Sequence, residues 1–93
     1  MGCNRNTVII LQALAEDACS IRELTKLIGN VASVRTAIHR LRRWGWKIVM
    51  CLYSAGVCAY YIVDSDQRAA AGQLSKADMN RKMILPPGRG GRP

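Results

Sequence analysis

Acidic residues are scarce in this chain and absent from its middle. The 93 residues include 14 Lys and Arg but only 6 Asp and Glu, so the formal net charge is +8 and the pI is near 10.0. No acid occurs between Leu24 and Val63, a stretch that holds six of the cations. Solvated helix faces normally mix both signs of charge, so a surface of one sign favours a polyanionic partner.

Long apolar runs and paired metal ligands are also missing. No run approaches the roughly 20 apolar residues of a membrane span, and the N-terminus lacks a signal-peptide layout. The four cysteines form no C-x-x-C pair, and His39 is the one histidine. We therefore expect reduced thiols, no metal, no cofactor and no membrane partner, in a soluble cytoplasmic protein.

The same inventory argues against an enzyme. One histidine and six acids, as they are spaced here, suggest neither a Ser/Cys–His constellation nor a carboxylate pair, and no phosphate-binding loop is present. We expect a binding protein instead.

Apolar periodicity predicts three helices before residue 45. The first covers residues 7–17, capped by Asn6 or Thr7. The second starts with a capping box, Ser20 to Glu23, and ends at Gly29. The third starts at Asn30 or Ser33, runs to about Trp44 and carries the densest basic cluster. The expected core is Leu11, Leu14, Leu24, Leu27, Val34, Ile38, Leu41 and Ile48.

A hairpin and a tail are predicted to follow. Residues 46–53 and 57–63 are rich in β-branched and aromatic residues on both sides of a short loop with glycine. Residues 66–84 predict a weak helix, and the Pro- and Gly-rich residues 86–93 predict disorder. We therefore assign residues 1–63 to a folded domain and 64–93 to a weakly helical, then flexible, basic tail.

Both faces of the predicted hairpin are apolar. Trp46, Ile48 and Met50 alternate with Val49 and Cys51. An antiparallel sheet over one core normally shows one polar face. We expect the outer face to be covered, either by residues 66–84 or by a second subunit in a homodimer.

This order of elements resembles the winged helix-turn-helix domains of bacterial and phage transcriptional regulators. The resemblance lies in a short helix, a Gly turn and a longer basic helix that ends in Leu41-x-x-x-Gly45-Trp46-x-Ile48, followed by the hairpin. It covers roughly residues 7–63. It implies a mainly α fold of three helices with a small β-hairpin, the wing.

The resemblance also implies a function: sequence-specific binding of duplex DNA by a small transcriptional regulator, such as a phage regulator, in a bacterial or infected host cell. Helix 31–44 would lie in the major groove, with its N-terminal half facing base edges. The DNA-binding residues so implied are Ser33, Arg35, Thr36, His39 and Arg40 at the bases, and Arg42, Arg43 and Lys47 at the backbone. Arg89 and Arg92 of the tail would add further DNA contacts.

Two alternatives stay open. A winged helix can also serve as a protein–protein interaction module, which the apolar hairpin favours. A DNA-binding accessory factor in transposition or excision is also compatible with a chain of this size.

Overall fold

A computed structural model of the protein describes residues 4–54 and 56–87. Within these ranges the chain is mainly helical, with a small antiparallel sheet, as the sequence predicts. None of the helices there is long and apolar enough to cross a membrane. In chain order the elements are α1 (Arg5–Glu16), β1 (Cys19–Ser20), α2 (Ile21–Ile28), α3 (Val31–Arg43), β2 (Ile48–Ser54), β3 (Val57–Ile62), α4 (Ser65–Gly72) and a 3₁₀ helix (Lys76–Asn80).

The first helix begins earlier than predicted. Asn4 occupies its N-cap position, and the predicted caps Asn6 and Thr7 lie inside the helix. The Asn4 side chain makes no cap hydrogen bond, and its amide donates instead to the carbonyl oxygens of Arg81 and Lys82. The predicted start is therefore wrong: Asn4 is held by residues 77 and 78 positions away, which local sequence cannot reveal.

The turn between α2 and α3 follows from side-chain capping. The Ser20 hydroxyl accepts the Glu23 N–H at 3.1 Å and the Glu23 carboxylate accepts the Ser20 N–H at 2.8 Å, which confirms the capping box. Gly29 ends α2 with φ of 101°, a conformation that glycine adopts without steric cost. The Asn30 side chain accepts the Ser33 N–H at 3.0 Å, so Asn30 is the residue that caps α3.

The predicted core is buried with one exception. Leu27 is 51% exposed, and its assignment to the core is wrong. On α2, Leu24 is fully buried and Ile21 and Ile28 pack against the core. Leu27 lies about 100° around the helix from Ile28, which turns it towards solvent. The confirmed members are Leu11, Leu14, Leu24, Val34, Ile38, Leu41 and Ile48.

The predicted hairpin is present as β2 and β3, and β3 also pairs with a strand that the sequence did not predict. The strand order is β1-β3-β2, with Cys19 opposite Tyr60 and Ile48 opposite Ile62. The unpredicted strand, β1, has two residues, which is too short to produce a periodic pattern. The face of the sheet that carries Ile48 and Ile62 packs on the core.

Residues 65–87, which we call the C-terminal segment, pack on the same core as the helices before them. The continuous helix expected over residues 66–84 is replaced by α4, which ends at Gly72, and the 3₁₀ helix. Gly72 lies against Ala15 of α1, and Ala71 and Ile84 are buried. The Trp46 indole N–H donates to the Ile84 carbonyl oxygen at 2.6 Å. Of the residues expected to be disordered, 86–93, Pro86 is half-buried beside Gly45, and residues 88–93 lie outside the described residues.

Two neighbouring residues test this packing. Ile84 is 1% exposed and Leu85 is 55% exposed. We expect Ile84→Ala to lower the free energy of unfolding by about 2–5 kcal/mol, because it leaves a cavity in the core. The matched variant Leu85→Ala should change it by less than about 0.5 kcal/mol. Urea unfolding measures both, and equal effects would show that the C-terminal segment does not pack as described.

Candidate nucleic-acid interface

The helix α3 separates its apolar and basic side chains onto opposite faces. Val34, Ala37, Ile38 and Leu41 are buried against the core. This is the helical phase that the sequence predicts. The exposed residues of α3 are Val31, Ala32, Arg35, Thr36, His39, Arg40, Arg42 and Arg43, whereas Ser33 is half-buried.

The centre of the exposed face is a line of four residues. At 100° per residue, Ala32, Thr36, His39 and Arg43 point directly away from the buried side. Its N-terminal half therefore carries small side chains, and its C-terminal half carries a histidine and an arginine. We call this line the α3 ridge. A small side chain such as Ala32 lets the helix backbone approach a partner closely.

Grooves lie along the ridge on the side nearer α1. The first is lined by Asn6 and Thr7 of α1 together with Ser33, Thr36 and Arg40 of α3. Its walls are largely polar. The next groove along α3 is lined by Trp44 and Met83 and by the basic side chains His39, Arg40 and Arg43. Thr36 and Arg40 border both grooves, so one continuous flank runs beside the helix.

On the other side of the ridge, a groove separates α3 from the sheet. Arg35, His39 and Arg42 form its helical wall, and Met50 and Tyr60 form its strand wall. The α3 ridge is therefore bordered on both sides, with Arg40 on one flank and Arg35 on the other. The structure brings together five of the predicted DNA-binding side chains, Arg35, Thr36, His39, Arg40 and Arg43, on this exposed surface.

Arg42 is held by the protein itself. Its Nε donates to the Ile48 carbonyl oxygen at 2.9 Å, and its guanidinium lies 5.9 Å from the centre of the Tyr60 ring. These contacts join the end of α3 to the sheet. Arg42 thus has a structural role that the sequence did not suggest.

Two other predicted residues lie differently from the ridge. The backbone N–H of Ser33 is used by the Asn30 cap, and its side chain lines the polar groove at the edge of the face. Lys47 is exposed, but strand alternation places it on the opposite side from the buried Trp46 and Ile48. It lies apart from the grooves that border α3. Arg89 and Arg92 are outside the described residues.

No carboxylate of the described part comes within 4 Å of the cationic groups of α3. Glu16, Asp17 and Glu23 are exposed around β1. Burial raises the pKa of the Cys19 thiol there, and the three carboxylates raise it further. The basic face of α3 and this acidic end are therefore separate surfaces.

Asp78 is the ion-pair partner of one cation of the C-terminal segment, Arg81. The backbone N–H of Ser75 lowers the pKa of Asp78, and the nearby Arg81 lowers it too. Asp78 and Arg81 form an ion pair at 3.4 Å. Arg81 therefore has a carboxylate partner, in contrast to the cations of α3.

Sequence reasoning missed several residues of this surface. Ala32 could have been found from the helical phase alone, since it lies between the positions of Arg35 and Thr36 around the wheel. Asn6 lines the polar groove, whereas the sequence predicts it as a helix cap. Met83 reaches the surface through tertiary packing of the C-terminal segment, and no local signal marks it.

Comparison of the chain with protein-family models, with curated proteins and with solved structures finds no match. The function has to be inferred from the residues of this surface.

Arg42 and Arg43 are adjacent at the end of α3 and differ in their contacts within the protein. Arg42→Ala removes a hydrogen bond and a cation–π contact, so we expect it to lower the free energy of unfolding by about 1–2 kcal/mol. Arg43→Ala removes neither and should change it by less than about 0.5 kcal/mol. Thermal or urea unfolding distinguishes them. Equal stability of the two variants would show that the Arg42 contacts do not form.

Proposed function

We propose that the protein binds duplex DNA in a sequence-specific manner, with α3 as the recognition helix in the major groove. The observation that carries the proposal is the exposed face of α3, where Arg35, Arg40 and Arg43 project without a carboxylate partner among the described residues. Unpaired cations on one face are the electrostatic footprint of phosphate binding.

The shape of the surface supports the same proposal. An α-helix with its side chains is about 10–12 Å across, close to the roughly 12 Å width of the major groove. The N-terminal half of the α3 ridge carries Ala32 and Thr36, which can contact a thymine methyl group and allow close approach. A face built for a small charged ligand would instead need an enclosed pocket.

Residue roles follow from position along the helix. Arg35 and Thr36 lie in the N-terminal half, where recognition helices meet base edges, and Arg35 can donate two hydrogen bonds to guanine. We assign Ser33, His39 and Arg40 to the edge of the base-reading region. Arg43 lies at the C-terminal end and contacts phosphate, which fixes position without reading sequence.

The remaining elements fit a winged helix-turn-helix regulator. In this proposal α2, the Gly29 turn and α3 form the helix-turn-helix, and β2 and β3 form the wing. The cellular role is a small transcriptional regulator, such as one encoded by a phage. A DNA-binding accessory factor in transposition or excision uses the same surface and differs only in the process it serves.

Selection of bound sequences from a random duplex pool tests the proposal directly. We expect enrichment of a short motif, with binding that weakens steeply as salt rises. A palindromic motif would show that two copies bind together. Binding without enrichment would reduce the role to non-specific attraction, and the absence of binding at low salt would refute DNA recognition.

Arg35 offers the sharpest test of base reading. Arg35→Ala should cost about 1–3 kcal/mol on the selected sequence and relax the preference at one base pair. Arg68→Ala is the matched control, because Arg68 is exposed on α4 and its guanidinium lies near the Ala15 carbonyl oxygen. Competition binding with selected and random duplexes measures both variants. Equal losses of Arg35→Ala on the two duplexes would make Arg35 a phosphate contact only.

A second candidate function is protein–protein interaction, including a homodimer through the outer face of the hairpin. That face is partly covered, because Cys51 and Tyr61 are half-buried beside the end of α1 and Arg68. Three valines around them stay exposed: Val49, Val57 and Val63. An interaction through these apolar side chains should persist at high salt, whereas phosphate contacts should not.

The tail is proposed as an additional, non-specific DNA contact. A chain ending at Pro87 lacks Arg89 and Arg92 but keeps the buried Ile84. We expect it to fold normally and keep its preferred sequence, with a salt slope shallower by up to about two, because two cations are lost. Salt titrations of both chains measure this. An unchanged slope would exclude tail contacts, and a changed motif would show that the tail reads a groove.

A further inference from the structure

A helix in the major groove lies between two sugar–phosphate strands. Protein surfaces that flank the helix therefore face those strands, one on each side. On the sheet side, this flank is the groove between α3 and the sheet. On the other side it is completed by the C-terminal segment, which the sequence had placed outside the folded domain.

The C-terminal segment is fixed beside α3 by Asn4. The Asn4 side chain is buried and donates to the carbonyl oxygens of Arg81 and Lys82. Its backbone N–H donates to the Met79 carbonyl oxygen at 2.8 Å. Met83, which follows Lys82 in the chain, lines a groove together with Arg40 and Arg43. Lys82 thus lies between a buried anchor and a residue that borders the basic face.

Lys82 is the available cation next to Met83, which lines the groove beside α3. Its neighbour Arg81 pairs with Asp78 at 3.4 Å. Lys82 is exposed, and no carboxylate of the described residues lies within 4 Å of its ammonium group. A lysine ammonium is a compact charge on a flexible stem, which suits contact with phosphate rather than with base edges.

We propose that the C-terminal segment forms a phosphate-binding flank of the DNA interface, with Lys82 as its contact residue and Asn4 as its positioning residue. This rests on the proposed function of α3 and extends it to the strand on the α1 side. The partner is the sugar–phosphate backbone of duplex DNA. The contact adds affinity to every sequence and leaves the preferred sequence unchanged.

Lys82→Ala in the full chain tests the contact, with Lys76→Ala as the matched control. Lys76 is an exposed lysine at the start of the 3₁₀ helix, away in sequence from the groove-lining Met83, whereas Lys82 is the neighbour of Met83. Loss of one phosphate contact makes the salt slope shallower by about 0.9. The affinity lost by the variant, relative to the unaltered chain, is then about eightfold greater at 0.1 M salt than at 1 M salt. We expect this loss on selected and random duplexes alike, and no change for Lys76→Ala. Unchanged affinity and slope for Lys82→Ala would overturn the proposal.

The outcomes separate this inference from the function on which it rests. If the unaltered chain fails to bind DNA at low salt, the proposed function fails. If it binds and Lys82→Ala binds equally well, only the flank is refuted. A loss in Lys82→Ala on the selected sequence alone would also refute it, because the residue would then be reading bases.

Asn4→Ala tests the positioning role by a double-mutant cycle. If Asn4 acts by placing Lys82, the additional loss from Lys82→Ala should be much smaller in the Asn4→Ala background than in the unaltered chain. Fully additive losses would show that Asn4 does not position Lys82. Should Asn4→Ala fail to fold, the salt slope of Lys82→Ala still decides whether the flank binds phosphate.

Discussion

The turn that follows α3 is hydrogen-bonded from several directions, and the position of α3 depends on it. The Trp46 N–H donates to the Leu41 carbonyl oxygen at 3.0 Å, which folds the chain back on the helix end. Buried Gln67 accepts the Lys47 N–H and donates to the Gly45 carbonyl oxygen. The Trp46 indole binds the carbonyl oxygen of Ile84. Buried polar groups without such partners would be costly, so helix, sheet and C-terminal segment are locked in one arrangement.

The cations of α3 repel one another, and this repulsion opposes the folding of the helix. Arg40 and Arg43 are three residues apart on the helix, so like charges are neighbours there, which destabilises a helix by about 0.2–0.5 kcal/mol. The cations of the last turn interact favourably with the helix dipole, by about 0.3–1 kcal/mol each. The Asn30 cap adds about 1 kcal/mol at the other end. These local terms are of the size needed to offset the repulsion, so the face can stay free of acids.

What the sequence predicted correctly depends on interactions within a few residues. The capping box, the phase of α3 and the hairpin all come from local spacing, and each is present. The failures involve distant partners. Asn4 bonds to residues 77 and 78 positions away, and Trp46 to one 38 positions away, so neither the start of α1 nor the packing of Ile84 was visible locally. Leu27 failed because the core covers a narrower arc of α2 than its apolar residues do.

The same tertiary contacts sort the basic residues that composition could not distinguish. Arg42 is bound to Ile48, and Lys47 lies on the other side of the sheet from the buried Trp46 and Ile48. With Arg42 and Lys47 set aside, the remaining arginines of α3 are Arg35, Arg40 and Arg43. They lie on or beside the α3 ridge, whose N-terminal half carries small side chains. In the proposed function, this helix approaches base edges at one end while its other charges meet phosphates beside it. Specificity then depends on few side chains, and most of the affinity arises from charge, because phosphate contacts carry no sequence information.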